Sequence, residues 1–184
     1  MVIRIMSIDR DGSNIVLIGF MGCGKSSVSR LMKDKYGMET VEMDQVIEQQ
    51  EGMSISDIFR IHGEEYFRDA ETKLLVDLQQ KKNVIISCGG GAPLRPENVI
   101  EMKRNGTVYL LTAKPETIFH RVRNSHSRPL LEQNKTVDHI AGLMAQRRDK
   151  YAAAADVVIH TDNRSISEIC DEIMKRSGSW NRNC

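Results

Sequence analysis

The segment Gly19-Phe20-Met21-Gly22-Cys23-Gly24-Lys25-Ser26 carries the densest chemistry in the chain. Its spacing is Gly-x-x-x-x-Gly-Lys-Ser, and it lies between an apolar run and a helical pattern, where that motif has to lie. Glycines let the backbone curl so that N–H groups point at phosphate oxygens. The helix that follows adds its positive dipole end. In this arrangement Lys25 reaches the β- and γ-phosphates and the Ser26 hydroxyl ligates Mg²⁺. Gly22, Cys23, Gly24, Lys25, Ser26 and Ser27 are therefore the expected ATP-binding loop. A guanine reader is unsupported, because Asn134-Lys135-Thr136-Val137 lacks the Asp of an Asn-Lys-x-Asp segment.

Four further features belong near the γ-phosphate. Glu42-Met43-Asp44 ends a strand candidate, and alternation would put both carboxylates on one side. One could hold the magnesium hydration shell while the other takes the proton of an acceptor hydroxyl. The plainer reading of Asp44 is a helix N-cap. Arg68 follows Gly63-Glu64-Glu65-Tyr66-Phe67 on a helical stretch, where a solvated arginine is the plain alternative. Gly89-Gly90-Gly91 closes another strand, and three glycines there allow close backbone approach to a ligand. Arg121, Arg123, His126 and Arg128 precede Pro129-Leu130-Leu131 in a polar stretch without apolar periodicity, which suits a lid over phosphates. Arg147 and Arg148 come later on a helix.

The elements that must position these residues alternate. Strands are expected at Asn14–Phe20, Thr40–Met43, Val84–Ser87, Thr107–Leu111 and Val157–His160, and helices at Ser26–Tyr36, Asp44–Gln50, Ser54–His62, Glu64–Lys81, Pro96–Asn105, from Pro115, Thr136–Ala154 and Ser165–Arg176. Such alternation implies an α/β, three-layer fold: a central five-stranded parallel sheet with helices on both faces. Ligands of such sheets bind outside the carboxyl ends of the strands. The expected organisation is an N-terminal extension (1–13), one kinase domain (14–176) and a C-terminal tail (177–184). Within the domain, an acceptor-binding region is expected at about 44–72 and a mobile lid at about 123–135.

Composition narrows the partners. The 184 residues suit a single domain, and 26 Lys+Arg against 25 Asp+Glu give a net charge of +1. Non-specific nucleic-acid binding needs a basic excess that is missing here. No apolar run is long enough for a membrane span. Cys23, Cys88, Cys170 and Cys184 have neither metal-ligand nor redox-motif spacing, so a reduced, cytoplasmic protein is expected. A monomer is expected because a small kinase needs lid motion.

Together, the loop at Gly19–Ser27, Asp44, the Gly-Glu-x-x-Phe-Arg segment Gly63–Arg68, the triplet Gly89–Gly91, Arg128–Leu131 and Leu143–Arg147 resemble shikimate kinases, from Asn14 to about Met174. The resemblance implies a P-loop NTPase-type fold and transfer of the ATP γ-phosphoryl group to the 3-hydroxyl of shikimate. It assigns the acceptor carboxylate to Arg68 and Arg147, the ring hydroxyls to Asp44, Gly89, Gly90 and Gly91, and the transferring phosphate to Lys25 and Arg128. Arg123 and Arg164 resemble residues that flank adenine. Ser26 and Glu42 fall at the metal. The chain departs from the family in Glu42, where Asp is usual, in Cys88, where Thr is common, and in a short lid. Two arginines would clamp a small carboxylate by charge-assisted hydrogen bonds. The competing readings are another small-molecule kinase, such as a gluconate or nucleoside monophosphate kinase, and a nucleotide-binding regulatory module without turnover. Only Glu42 favours the last.

Overall fold

The computed structural model describes residues 13–123 and 136–178. Five parallel strands form one sheet: β1 (Asn14–Ile18), β2 (Glu39–Glu42), β3 (Val84–Ser87), β4 (Gly106–Thr112) and β5 (Val157–His160), in the order β2-β3-β1-β4-β5. Val16 lies opposite Ile86 on one side and Val108 on the other. Every residue of β1 and β3 is buried, which requires cover on both faces of the sheet. Their continuous apolar runs are the sequence form of that position.

The cover comes from α1 (Lys25–Tyr36), α2 (Met43–Glu51), α3 (Ile55–Asp77), α4 (Pro96–Arg104), α5 (Pro115–Val122), α6 (Val137–Ala154) and α7 (Ile166–Arg176). α1 packs on α7, α3 on α2 and α4, and α5 on α6. Leu17, Ile18, Ile85 and Leu111 are wholly inside the core these layers share. Burying each stabilises the fold by about 1.5–3 kcal/mol. Asn14 is buried but satisfied: its amide donates to Lys81 O at 3.0 Å and its carbonyl accepts from Val84 N at 3.2 Å. The start of β1 is thereby tied to the start of β3. No helix among the described residues is long and apolar enough to cross a membrane.

Two local outcomes differ from the sequence expectation and both bear on the site. The strand expected to reach Met43 stops at Glu42, and α2 starts at once. Met43 and Ile47, four residues apart on one face of this helix, are both fully buried and anchor it to the core. Asp44 therefore sits in the first turn of α2, carried by a helix rather than by strand alternation. It is not an N-cap either, since Glu42 holds that place and no side chain caps there. The two helices expected on either side of Gly63 run on as α3, but with a kink. Gly63 has φ 86 and ψ 166, a conformation open to glycine alone, so the expected boundary survives as a break in the helix. Ser54 caps the first half by accepting from Asp57 N, and Ser165 and Glu168 form the capping box expected at the start of α7.

Candidate active site

The chain moves from one side of β1 to the other between β3 and β4, so the crevice of this sheet lies at the carboxyl ends of β1 and its neighbours. A cleft of about 530 Å³ occupies that place. Gly22, Gly24, Lys25, Ser26 and Ser27 line one part of it, and Glu42, Asp44, Cys88, Gly89 and Gly90 another.

The loop after β1 turns into α1 at Gly24, whose φ of 106 no side chain favours, and no side chain caps the helix. The first N–H groups of α1 therefore remain available to an anion. Lys25 Nζ donates to Gly19 O at 2.7 Å and to Phe20 O at 3.3 Å, folding back over its own loop. Ser26 Oγ donates to Glu42 Oε2 at 3.0 Å. Ser26 and Glu42 thus form a pair of hard oxygen donors. No group of three His, Cys, Asp or Glu side chains among the described residues could chelate an ion by itself. That pattern fits Mg²⁺, which is usually held by one or two protein oxygens together with phosphates and water.

Two glycines of the triplet, Gly89 and Gly91, leave room that functional side chains occupy, and Gly90 lies beside two more. A Cβ on Gly89 would stand 2.6 Å from Asp44 Oδ1 and 2.7 Å from Glu71 Oε1. On Gly90 it would stand 3.8 Å from the Tyr151 hydroxyl and 4.0 Å from Arg147 Nη1. On Gly91 it would stand 2.2 Å from Arg68 Nη1. Three side chains of α2 and α3 (Asp44, Arg68, Glu71) and two of α6 (Arg147, Tyr151) thus converge on three consecutive residues.

The guanidinium of Arg68 is held on several sides. It donates to Glu71 Oε2 and to Glu64 Oε1, each at 2.7 Å. Its centre lies 5.3 Å from the Phe67 ring and 5.9 Å from that of Phe59. Arg147 lies 5.8 Å from the Phe20 ring, and one turn along α6 the Tyr151 hydroxyl donates to Gly90 O at 2.6 Å.

Burial raises the pKa of Asp44, Lys25 opposes that rise, and Glu42 adds to it. Burial also carries Glu71 up to about 7, against the pull of Arg68 and with a further push from Asp44. Glu71 Oε1 is buried and has no hydrogen-bond partner among the described residues. The Cys88 thiol is pushed up by burial and stays neutral.

The sequence-assigned residues divide into three groups. Lys25, Ser26, Glu42, Asp44, Arg68, Arg147 and the triplet are brought together. Arg123 and Arg164 are not. Arg123 is exposed at the end of α5, and Arg164 is bound to Glu172 at 2.5 Å and to the carbonyls of His160 and Glu168. Arg121 takes the place along the cleft instead. It donates to Gly22 O at 3.3 Å and Cys23 O at 3.4 Å, and to Thr161 at 3.0 Å. Arg128 and nearly all of the expected lid fall outside the described residues, as do residues 1–12 and 179–184. Glu71 and Tyr151 were not singled out in the sequence. The available signal was helical spacing, since they stand at i+3 from Arg68 and i+4 from Arg147.

The shikimate kinase family model matches residues 21–177. A shikimate kinase of Dehalococcoides mccartyi strain BAV1 is 45% identical over 161 residues, 88% of this chain and 91% of its own. That of Persephonella marina is 44% identical over 163 residues, 89% of this chain and 98% of its own. Among solved structures, shikimate kinase from Acinetobacter baumannii in complex with shikimate superposes with a TM-score of 0.85 at 29% identity, covering 95% of this chain and 97% of its own. A gluconokinase from Sinorhizobium meliloti, 17% identical with a TM-score of 0.54, covers 94% of each chain and shares the fold alone.

Proposed function

Because the chain belongs to the shikimate kinase family and is an ATP-dependent phosphotransferase, we propose that its cleft transfers the γ-phosphoryl group of ATP to the 3-hydroxyl of shikimate, with the work divided among its residues as follows. The observation that carries this division is the convergence of Asp44, Arg68 and Arg147 on Gly89–Gly91, beside the phosphate loop.

The acceptor carboxylate lies between Arg68 and Arg147, whose planar forks suit its two oxygens. Its hydroxyls lie against the backbone of the triplet and Asp44. Asp44 accepts the proton of the attacking hydroxyl as the new O–P bond forms and the bond to ADP breaks. The raised pKa of Asp44 favours that transfer over a carboxylate of ordinary acidity. Lys25 leaves its loop carbonyls for the γ-phosphate, and the loop N–H groups bind the charge that remains on ADP. Ser26 and the Glu42 carboxylate would hold Mg²⁺, which would supply neutralisation of phosphate charge. Glu42 preserves the charge of the more usual Asp and already reaches Ser26 across its extra methylene. Arg128, assigned on its motif alone, completes the set around the transferring group.

The test is ADP release over a panel of hydroxy acids, with the product identified by ³¹P–¹H correlation. Shikimate alone should support turnover, with phosphate on its 3-oxygen. Comparable turnover with gluconate, or none with any acceptor, would overturn the reading.

A further inference from the structure

A second recess, of about 380 Å³, lies between α6, the carboxyl end of β4 and the edge strand β5. Phe20, Cys23, Leu111 and Tyr151 form its buried floor, while Ala145, Arg148, Ala152 and Val158 stand exposed at its mouth. The sequence explains the gap. α6 turns Met144, Arg148, Tyr151 and Ala152 toward the sheet at helical spacing, with Ala145 beside them. Two alanines stand where larger side chains would close the layer, and Val158 is left 45% exposed. Besides the Tyr151 hydroxyl, which is engaged elsewhere, and the Cys23 thiol, the polar side chains that the described residues bring to the lining are those of Thr112 and Arg148.

The floor of this recess is also the back of the active site. The Phe20 ring carries Arg147 on it. The hydroxyl of Tyr151 donates to Gly90 O at 2.6 Å. Cys23 Sγ lies 3.9 Å from Lys25 Nζ. Two of these three links run to the acceptor half of the site.

We propose that this recess binds a small one-ring aromatic carboxylate, with the ring against Phe20, Tyr151 and Val158 and the carboxylate at Arg148, and that its occupancy changes acceptor affinity through Tyr151–Gly90 and Phe20–Arg147. Size supports a single ring: a dry cavity of about 150 Å³ accepts benzene, so this one has room for a ring and a short chain. Charge supports an acid. Among the described residues Arg148 bonds only to its neighbour Asp149, through Nε at 3.1 Å, and its terminal nitrogens face no partner there that would compete with an anion. Because Arg148 is exposed, the charge selects among ligands while apolar contact supplies most of the affinity. A second copy of the chain is a poorer occupant, since the exposed apolar surface at the mouth amounts to Val158 and two alanines.

The binding step is independent of the acceptor assignment, whereas the coupling step rests on it, so the two are measured separately. Binding is read by titrating 3-phenylpropionate into the full chain and following the methyl resonances of Ala145, Ala152 and Val158. The expected result is a saturable shift of all three, several-fold weaker binding of the uncharged 3-phenylpropanol, and at least tenfold weaker binding to Ala152→Phe, whose ring fills the recess. Should that variant fail to fold, the methyl shifts in the unaltered chain decide. Unmoved methyls, undiminished binding to Ala152→Phe, simple competition by shikimate, or self-association that covers the mouth would each overturn the site. Coupling is read as the ratio of shikimate Kd values with and without saturating probe. That ratio must equal the change shikimate causes in the Kd of the probe, and it must shrink toward one in Tyr151→Phe, which keeps the ring and loses the bond to Gly90. A ratio of one in the unaltered chain, or no effect of Tyr151→Phe on it, would overturn the coupling while leaving the site.

Discussion

Arg68 and Glu71 stand one helical turn apart on α3 and meet at 2.7 Å, with the Glu71 side chain wholly inside the protein. The pair spans the boundary between fold and function. Arg68 faces the glycine triplet, and Glu71 holds and aims it from behind. Burial nonetheless makes Glu71 hold its proton up to about pH 7. The folded chain therefore keeps a proton that the unfolded chain has released above its ordinary value of 4.5.

The first prediction follows from that sign. The Glu71 contribution to stability is fully present below pH 4.5 and is lost as pH rises through about 7. Its size is up to about 3 kcal/mol at 1.36 kcal/mol per unit. Glu71→Gln keeps an acceptor for Arg68 and removes the titration. Urea midpoints from pH 4.5 to 8 should fall more steeply in the unaltered chain than in the variant. Parallel curves would refute the assignment.

The second concerns Lys25. Its Nζ is parked on Gly19 O and Phe20 O, so the loop keeps an internal neighbour in place rather than an idle side chain. Lys25→Ala should lower kcat by roughly 10²–10³, the loss typical of removing one preorganised donor. Stopped-time assays of ADP formation suffice, and near-normal turnover would remove the phosphate loop from the reaction.

Asp44→Asn separates a base from a structural carboxylate. The structure leaves Asp44 no capping duty, so Asn cannot substitute for it on that ground. We expect kcat to fall by about 10²–10⁴, the usual worth of general acid–base catalysis, with KM for ATP nearly unchanged. Survival of kcat would shift the proton-accepting role away from this residue.

Gly89→Ala tests the geometry of the triplet without touching a charge. The new methyl would lie 2.6–2.7 Å from the Asp44 and Glu71 oxygens, so at least one carboxylate must swing aside. Turnover should drop well beyond the loss in thermal stability. An active Gly89→Ala enzyme would mean that neither oxygen needs its present position.

Arg147→Ala should raise KM for shikimate and spare KM for ATP. A lost partner in a desolvated charged hydrogen bond costs on the order of 2 kcal/mol or more, which is roughly thirtyfold. Arg147→Lys should recover little, because an ammonium lacks the planar fork. Equal effects on both substrates would point to damage of α6 instead.

The sheet, its order of elements and the phosphate loop were legible in the sequence because each rests on local pattern. The buried strands β1 and β3 read as continuous apolar runs, and the loop motif needs only its own eight residues. The short segments that carry Arg68, Arg147 and the triplet were legible, and the fold brings them to one place. What escaped was the second layer around them. Glu71 and Tyr151 matter through the residues they hold, and no motif marks a residue that acts through another. Arg121 and Arg123 show a different limit. Two positions apart on a helix they face nearly opposite ways, so only the packing of α5 decides which one meets the loop. The side that Asp44 faces was read from strand alternation, because the burial of Met43, which turns the chain helical one residue early, depends on distant neighbours.

The break at Gly63 has a consequence for how the protein opens. With ψ 166 at that residue, the hydrogen-bond ladder of α3 is interrupted, so the stretches Ile55–His62 and Glu64–Asp77 need not unfold together. The first anchors itself in the core through Ile58, the second through Phe67, Leu74 and Leu75. Native-state hydrogen exchange should therefore divide this helix, with amides before Gly63 opening at a lower free energy than those after it. The division falls between the two aromatic walls of Arg68, Phe59 on the loosely held stretch and Phe67 on the firmly held one. A local opening could release one side of the guanidinium while the rest of the domain stays folded.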